Sequence, residues 1–233
     1  TSRSLVKLIS ISVFAMFFIF FLVGIFNEDN REDAIAYYQR AEQNYWSENY
    51  DSAYLNYRKA WRLNPEYAEA ILGYGNVLEV RNEPDSALIM IDKALEIDPD
   101  YKEASYSKAF TYYNQKKYDE SITVLRPVLE ANPDYYDATL LMGDCYYLQK
   151  NYDEAILLYE EAYTNGGSRS RVLCHIMAYI YDTKGDYEKA INLYKEALSY
   201  DSSVVDIYKR LGELIPNVDG NVYRSKAALL QQR

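Results

Sequence analysis

Few residues in this 233-residue chain are suited to chemistry: one histidine, His175, two cysteines, Cys145 and Cys174, and carboxylates such as Asp144 and Asp182. Asp144 and Asp182 have the group types of an acid–base pair, but acidic residues on helix surfaces generally serve solubility. No Gly-rich phosphate loop, His-x-x-x-His pair or Ser-centred elbow accompanies them. His175 lacks the second ligand cluster that a metal site needs, and two isolated cysteines do not make a zinc centre. The expectation is a protein that is not an enzyme, with no cofactor and no metal.

The elements that must position these residues are set by a period. Small residues recur at Ala41, Gly75, Ala109, Gly143, Ala178 and Gly212, every 34 residues except for one step of 35. Ala53, Ala87, Ser121, Ala155 and Ala190 keep the same register, as do Ala60, Ala94, Val128, Ala162 and Ala197. Small side chains at fixed intervals let helix backbones approach closely. Between them lie larger apolar residues, Tyr57, Ile91, Leu125, Tyr159 and Tyr194 on each second helix, and Leu78, Tyr112, Tyr146 and Tyr181 on each first one. A period of this length marks a solenoid of helix-turn-helix units. Cys145 and Cys174 then fall on first helices of adjacent units, where a bridge in an oxidising compartment and simple packing of two thiols both remain open.

The pattern resembles the tetratricopeptide repeat (TPR) family, most clearly at Met142-Gly143, Tyr146, Asn151-Tyr152-Asp153-Glu154-Ala155, Tyr159 and Ala162. Pro65, Pro99 and Pro133 close three repeats and predict that helices stop at Asn64, Asp98 and Asn132. The resemblance spans about Ala34 to Gly212. It implies an all-α fold: a right-handed superhelical α-solenoid of about five and a half repeats over residues 34–219, closed by a capping helix over 220–233. Pro84 starts a second helix, where a missing N–H costs nothing. Pro127 lies inside one and predicts a bend. Asn165-Gly166-Gly167-Ser168 carries the extra residue and reads as a hinge or a surface insertion. Pro216 and a turn over 217–220 cut the sixth unit short, and Val222, Tyr223, Ala227 and Leu230 form the apolar side of the cap.

The family lines its concave groove with the first helix of each repeat. Matching positions are Tyr38, Glu42, Tyr45 and Trp46 in the first repeat, and Leu72, Asn76 and Glu79 in the second. Tyr106, Phe110 and Tyr113 follow in the third, Leu140, Asp144 and Tyr147 in the fourth, and His175, Tyr179 and Asp182 in the fifth. None is basic, which disfavours the carboxylate-clamping mode of some relatives. An aromatic, acidic trough suits an apolar or basic helix or extended segment of a protein partner. The competing reading is that these tyrosines pack between helices and the acids form a solvated face. Net charge is −10, and all 35 acidic residues lie beyond the first 26, so nucleic acid is not expected as a partner.

Ahead of the repeats, residues 8–26 are 19 residues without a charge. At ~1.5 Å per residue they match a hydrocarbon core of about 30 Å. Six of the seven phenylalanines lie here, Phe14, Phe17, Phe18, Phe20, Phe21 and Phe26, and none of the 27 tyrosines, as suits a lipid-facing helix. The exit lacks a small-residue cleavage pattern, so an uncleaved single span is expected, free to meet other transmembrane subunits. Arg3 and Lys7 precede it, which puts residues 1–7 in the cytoplasm and, after a linker at 27–33, the repeats outside, in the periplasm of a bacterium. The combined expectation is a membrane-anchored scaffold, an accessory subunit of an inner-membrane complex for secretion, energy transduction or envelope assembly. The alternatives are a chaperone-like holder of translocating chains and an import-receptor-like protein with cytosolic repeats.

Overall fold

The computed structural model describes residues 30–165 and 170–232, all helix and turn. The segment 8–26 with its phenylalanines, and Gly166 to Ser168, lie outside the described residues. No helix among those described is long and apolar enough to cross a membrane. The chain divides into two compact units, residues 1–115 and 116–233. In the first, α1 (30–46) and α2 (Tyr50–Leu63) form one hairpin, α3 (Ala68–Val80) and α4 (Pro84–Ile97) a second, and α5 (Lys102–Asn114) packs against α4. In the second, α6 (Tyr118–Ala131) packs on α7 (Tyr136–Leu148), which pairs with α8 (Tyr152–Thr164). Then come two further hairpins, α9 (Arg171–Thr183) with α10 (Tyr187–Tyr200), and α11 (Val205–Leu214) with α12 (Asn217–Gln231).

The small residues do what their spacing predicts. Ala41, Ala53, Ala60, Ala87, Ala94, Ala155, Ala178 and Ala190 are fully buried, and the large residues between them, Tyr57, Ile91, Leu125, Tyr159 and Tyr194, fill the gaps. A side chain added to Gly143 would stand 2.9 Å from the Tyr159 ring, so the close approach is what admits the tyrosine. Helices end where the prolines require, with C-caps at Asn64, Asp98 and Asn132, and Pro84 opens α4. Pro127 stands inside α6, which continues past it to Ala131.

Two further periodic devices shape the hairpins. Four hairpin turns and the turn from α5 to α6 each hold one residue in the left-handed region: Glu48, Asn82, Lys116, Lys150 and Gly185. In four of these turns the next amide reaches back to close the first helix, as Asn49 N–H does to Asn44 O and Asp186 N–H to Tyr181 O. Second, the residue capping a first helix bonds the first-turn aspartate of the preceding second helix: Arg81 to Asp51, Gln115 to Asp85, Gln149 to Asp119 and Lys184 to Asp153. Those aspartates also face the positive end of their own helix dipole.

The C-terminal end departs from expectation. Residues 217–220 are the first turn of α12, not a loop, so α12 starts three residues before the expected cap and forms a full hairpin with α11. Gly220 permits this, because a side chain there would lie 2.0 Å from the Ile215 carbonyl oxygen. Ala227 is buried as expected, but Val222 is exposed.

Candidate partner-binding faces

In the first unit, the four α1 positions, Tyr38, Glu42, Tyr45 and Trp46, follow at spacings of four, three and one and fall on one side of the helix. Glu42 is not a free carboxylate: Tyr57 OH, on α2, donates to its Oε1, and Trp46 Nε1 donates to Oε2 at 3.4 Å. Tyr38 packs against Tyr57 and Tyr67 with ring centroids at 6.0 and 5.1 Å. Burial, then the negative charge of Glu42, pushes its phenol up to about 12. Tyr45 is half-buried, and Leu72 belongs to the core. Trp46 is 78% exposed. On α3, Asn76 is half-buried, and Glu79 accepts from Asn114 Nδ2 at 2.9 Å across to α5. On α5, Phe110 is stacked between Tyr106 and Tyr113 at 6.3 and 6.2 Å and remains 39% exposed.

In the second unit, Asp144 accepts from Tyr159 OH at 2.6 Å. Burial raises its carboxyl above the ordinary value and that hydrogen bond partly offsets the rise. Tyr147 and Tyr179 form a triangle with Tyr152, its centroids 5.9 to 6.3 Å apart. Asp182 is the most heavily engaged acid. Arg210 grips it through Nε and Nη2 at 2.5 and 2.6 Å, and Tyr194 OH donates at 3.4 Å. Arg210 also bonds Glu213 at 2.6 Å. Asp182, Tyr194 and Arg210, with His175, Tyr179, Thr183 and Asp206, line a cavity of about 370 Å³. His175 is pushed down by burial and then by Arg171, so it is neutral at pH 7. Cys145 and Cys174 are fully buried and form no disulfide, and burial pushes the Cys145 thiol up.

The sequence-derived positions thus fall into two groups. Glu42, Asp144 and Asp182 tie a first helix to the second helix of its own hairpin. Trp46, Phe110 and Tyr179 face solvent. Tyr152 and Arg210 were missed. Arg210 stands in the register of Gln39, Gly73, Ser107, Leu141 and Ile176, and a cation where every other repeat is uncharged was the available signal. Among the described residues no group of three or more His, Cys, Asp or Glu side chains is placed to hold a metal ion.

Antiparallel helical hairpins with a 34-residue register, small residues at each crossing and a first-helix face define a helical-repeat protein. Profiles described as "Tetratricopeptide repeat" match residues 47–109 and 106–170, and one described as "TPR repeat" matches 178–215. The chain belongs to the tetratricopeptide repeat family. Among solved structures it is similar to PilF of Pseudomonas aeruginosa, with 20% identity over 87% of this chain and 90% of that one and a TM-score of 0.74. It is also similar to MamA (22%, 74% and 93%, TM-score 0.60) and to YrrB, described as a TPR protein with an unusual peptide-binding site (24%, 75% and 90%, TM-score 0.58). Likeness at this identity speaks to fold. No curated protein matches the sequence.

Proposed function

We propose that the chain is a non-enzymatic, membrane-tethered interaction scaffold, an accessory subunit of a bacterial inner-membrane complex whose repeats recruit a protein segment on the periplasmic side. The observation that carries this reading is the solvent exposure of Trp46 and Phe110 at first-helix positions, in a protein that buries the large residues between its helices, Tyr57, Ile91, Leu125, Tyr159 and Tyr194. Rigid aromatics of this kind are the usual anchors of protein interfaces. The peptide-binding site described for YrrB supports the same use of the fold. The tether rests on the apolar run 8–26, and the topology on Arg3 and Lys7 before it. Attachment to a surface raises the effective concentration of weakly binding domains, so modest affinity suffices.

The test is purification in mild detergent with mass spectrometry of the companions, for the wild type, a Trp46→Ala/Phe110→Ala chain and a chain lacking residues 1–26. A companion at fixed stoichiometry, lost from the aromatic variant, is expected. The same companions on both chains would remove this face from the account, and many unfolded clients would favour a holder. Because both native cysteines are buried, Glu188→Cys gives a single reactive thiol. Its labelling by an impermeant maleimide, without lysis of the inner membrane, reads the topology.

A further inference from the structure

The end of the second unit carries a surface that the cap and the first-helix face do not explain. On α12, Val218 (75%), Val222 (66%) and Leu229 (51%) are exposed and spaced to share one side of the helix. The buried side of α12 is a different one. It carries Gly220 and Ala227, with Arg224 reaching the Gly212 carbonyl of α11. Val222 forms the edge of an open cavity of about 530 Å³, lined also by Lys195, Tyr208, Ile215, Asp219, Tyr223 and Lys226. Tyr208 and Tyr223 make an aromatic wall, with ring centroids 6.2 Å apart. Ile215 is partly buried and packs against the core of the unit.

We infer that this cavity and the exposed stripe of α12 form a second docking site, for a partner-protein segment that carries an aromatic or long aliphatic side chain flanked by carboxylates. The apolar part of that chemistry follows from the lining: an open cavity walled by two tyrosines and Ile215 accepts one large apolar side chain, and Val218 and Val222 extend the contact along α12. The charged part follows from the rim. Lys195 and Lys226 are exposed and have no ion pair among the described residues, whereas Lys184, Lys108 and Arg210 are all paired with aspartates. In a chain of net charge −10, two ammonium groups against the single carboxylate of Asp219 in the lining make a local reversal of sign. A basic segment would be repelled there, and a polar one would leave the valines wet. A second copy brings the same net charge of −10 and opposes its own approach. The site is separate from Trp46 and Phe110, so it stands or falls independently of the function proposed above.

The test is selection of phage-displayed random peptides on the full-length chain in detergent micelles, with subtraction on a Val222→Glu chain. The survivors are expected to place an aromatic residue or leucine next to Asp or Glu. Their affinity, read by fluorescence anisotropy, falls about tenfold or more on a Lys195→Glu/Lys226→Glu chain, as loss of complementary charge predicts. It is unchanged on the Trp46→Ala/Phe110→Ala chain. Survivors that are basic, affinity indifferent to the two lysines, or no Val222-dependent peptide at all would overturn the inference. So would sedimentation velocity showing wild-type oligomers that Val222→Glu takes apart, because the occupant is then a second copy. Hydrogen exchange across α12 checks that Val222→Glu leaves the helix formed; if it does not, subtraction on the lysine double variant, whose substituted positions are both exposed, replaces it.

Discussion

The first two hairpins fill the same gap with different chemistry. In the first, the second helix brings Tyr57, and its hydroxyl must find an acceptor, which is Glu42 of α1. In the second, Ile91 fills the equivalent space without a polar atom, and the residue in the register of Glu42 is Asn76. The second unit repeats the tyrosine solution at Tyr159 with Asp144, whereas Tyr194, whose register partner is Tyr179, reaches instead Asp182 one turn further along α9. A carboxylate on the first-helix face is thus a binding group only where the second helix is aliphatic. Where it is tyrosine, the acid is part of the packing, since a buried hydroxyl left unpaired costs about 1–3 kcal/mol. The aromatics beside these acids are under no such constraint, which is why Trp46 and Phe110, rather than Glu42 or Asp144, are the groups to remove when testing for a partner.

The sharpest test of that division is Arg210→Leu. Asp182 is 9% exposed and would keep only the long hydrogen bond from Tyr194. A buried charge stripped of its partner costs about 3–5 kcal/mol, and the partial exposure of Arg210 puts the expectation near the lower end. Hydrogen exchange of the α9 and α11 amides is the measurement, because a repeat array opens locally rather than all at once. A loss below about 1 kcal/mol, the worth of an exposed pair, would place Arg210 with the surface groups instead.

A smaller contrast separates Asp144 from Asn76. Asp144→Ala leaves the buried Tyr159 hydroxyl without its acceptor and is expected to cost about 1–3 kcal/mol, whereas Asn76→Ala should stay within about 0.5 kcal/mol. Equal losses in α7 and α3 exchange would end the distinction between hairpins that need an acid and hairpins that do not.

Charge at Asp144 can be separated from hydrogen bonding. Its carboxyl is raised in the folded state, chiefly by burial, so the native chain holds this proton to higher pH than the unfolded chain does. Stability from this group is therefore complete below the ordinary aspartate value and declines as pH rises through the folded one. Asp144→Asn keeps an acceptor for Tyr159 and removes the slope. It should match the wild type near pH 4 and equal or exceed it at pH 7, the opposite of Asp144→Ala. At the alkaline end, Tyr38, Tyr57 and Tyr194 are all raised, by burial first and then by neighbouring acids or by hydrogen bonds to them. Stability should fall as pH climbs above about 10, the ordinary tyrosine value, since the native state resists their ionisation.

Much of this was legible in the sequence because close packing repeats. Ala41, Gly75, Ala109 and their relatives announce helix crossings, and Asn64-Pro65, Asp98-Pro99 and Asn132-Pro133 announce helix ends. The faces were legible only in part. Residue type alone does not say whether Glu42 meets solvent or a phenol 15 residues later, although the pairing of Glu42 with Tyr57 and Asp144 with Tyr159, and of Asn76 with Ile91, is visible once the two columns are compared; the fifth repeat breaks it, with Tyr179 opposite Tyr194. The start of α12 was hidden for another reason: Asn217, Asp219 and Gly220 are turn-forming types, and tertiary contact with Ile215 overrides them. Arg210 was hidden because Pro216 and the turn-forming residues after it make the sixth unit look like half a repeat in the sequence.

The hairpin turns give the finest comparison, since backbone conformation is shared and only the residue differs. Lys150 and Gly185 occupy equivalent turns in the second unit with φ of 63° and 81°. A side chain at 185 would meet nothing within 4 Å, so Gly185→Ala isolates the cost of the left-handed backbone. Lys150→Gly should stabilise its hairpin by about 0.5–1 kcal/mol, and Gly185→Ala should destabilise its own by a similar amount. Exchange in α7–α8 and α9–α10 would move in opposite directions. A loss in both would mean that the Lys150 side chain contributes more than its backbone strain takes away, and the left-handed position would then be a consequence of the closing hydrogen bond from Asn151 to Tyr146 rather than a site still open to improvement.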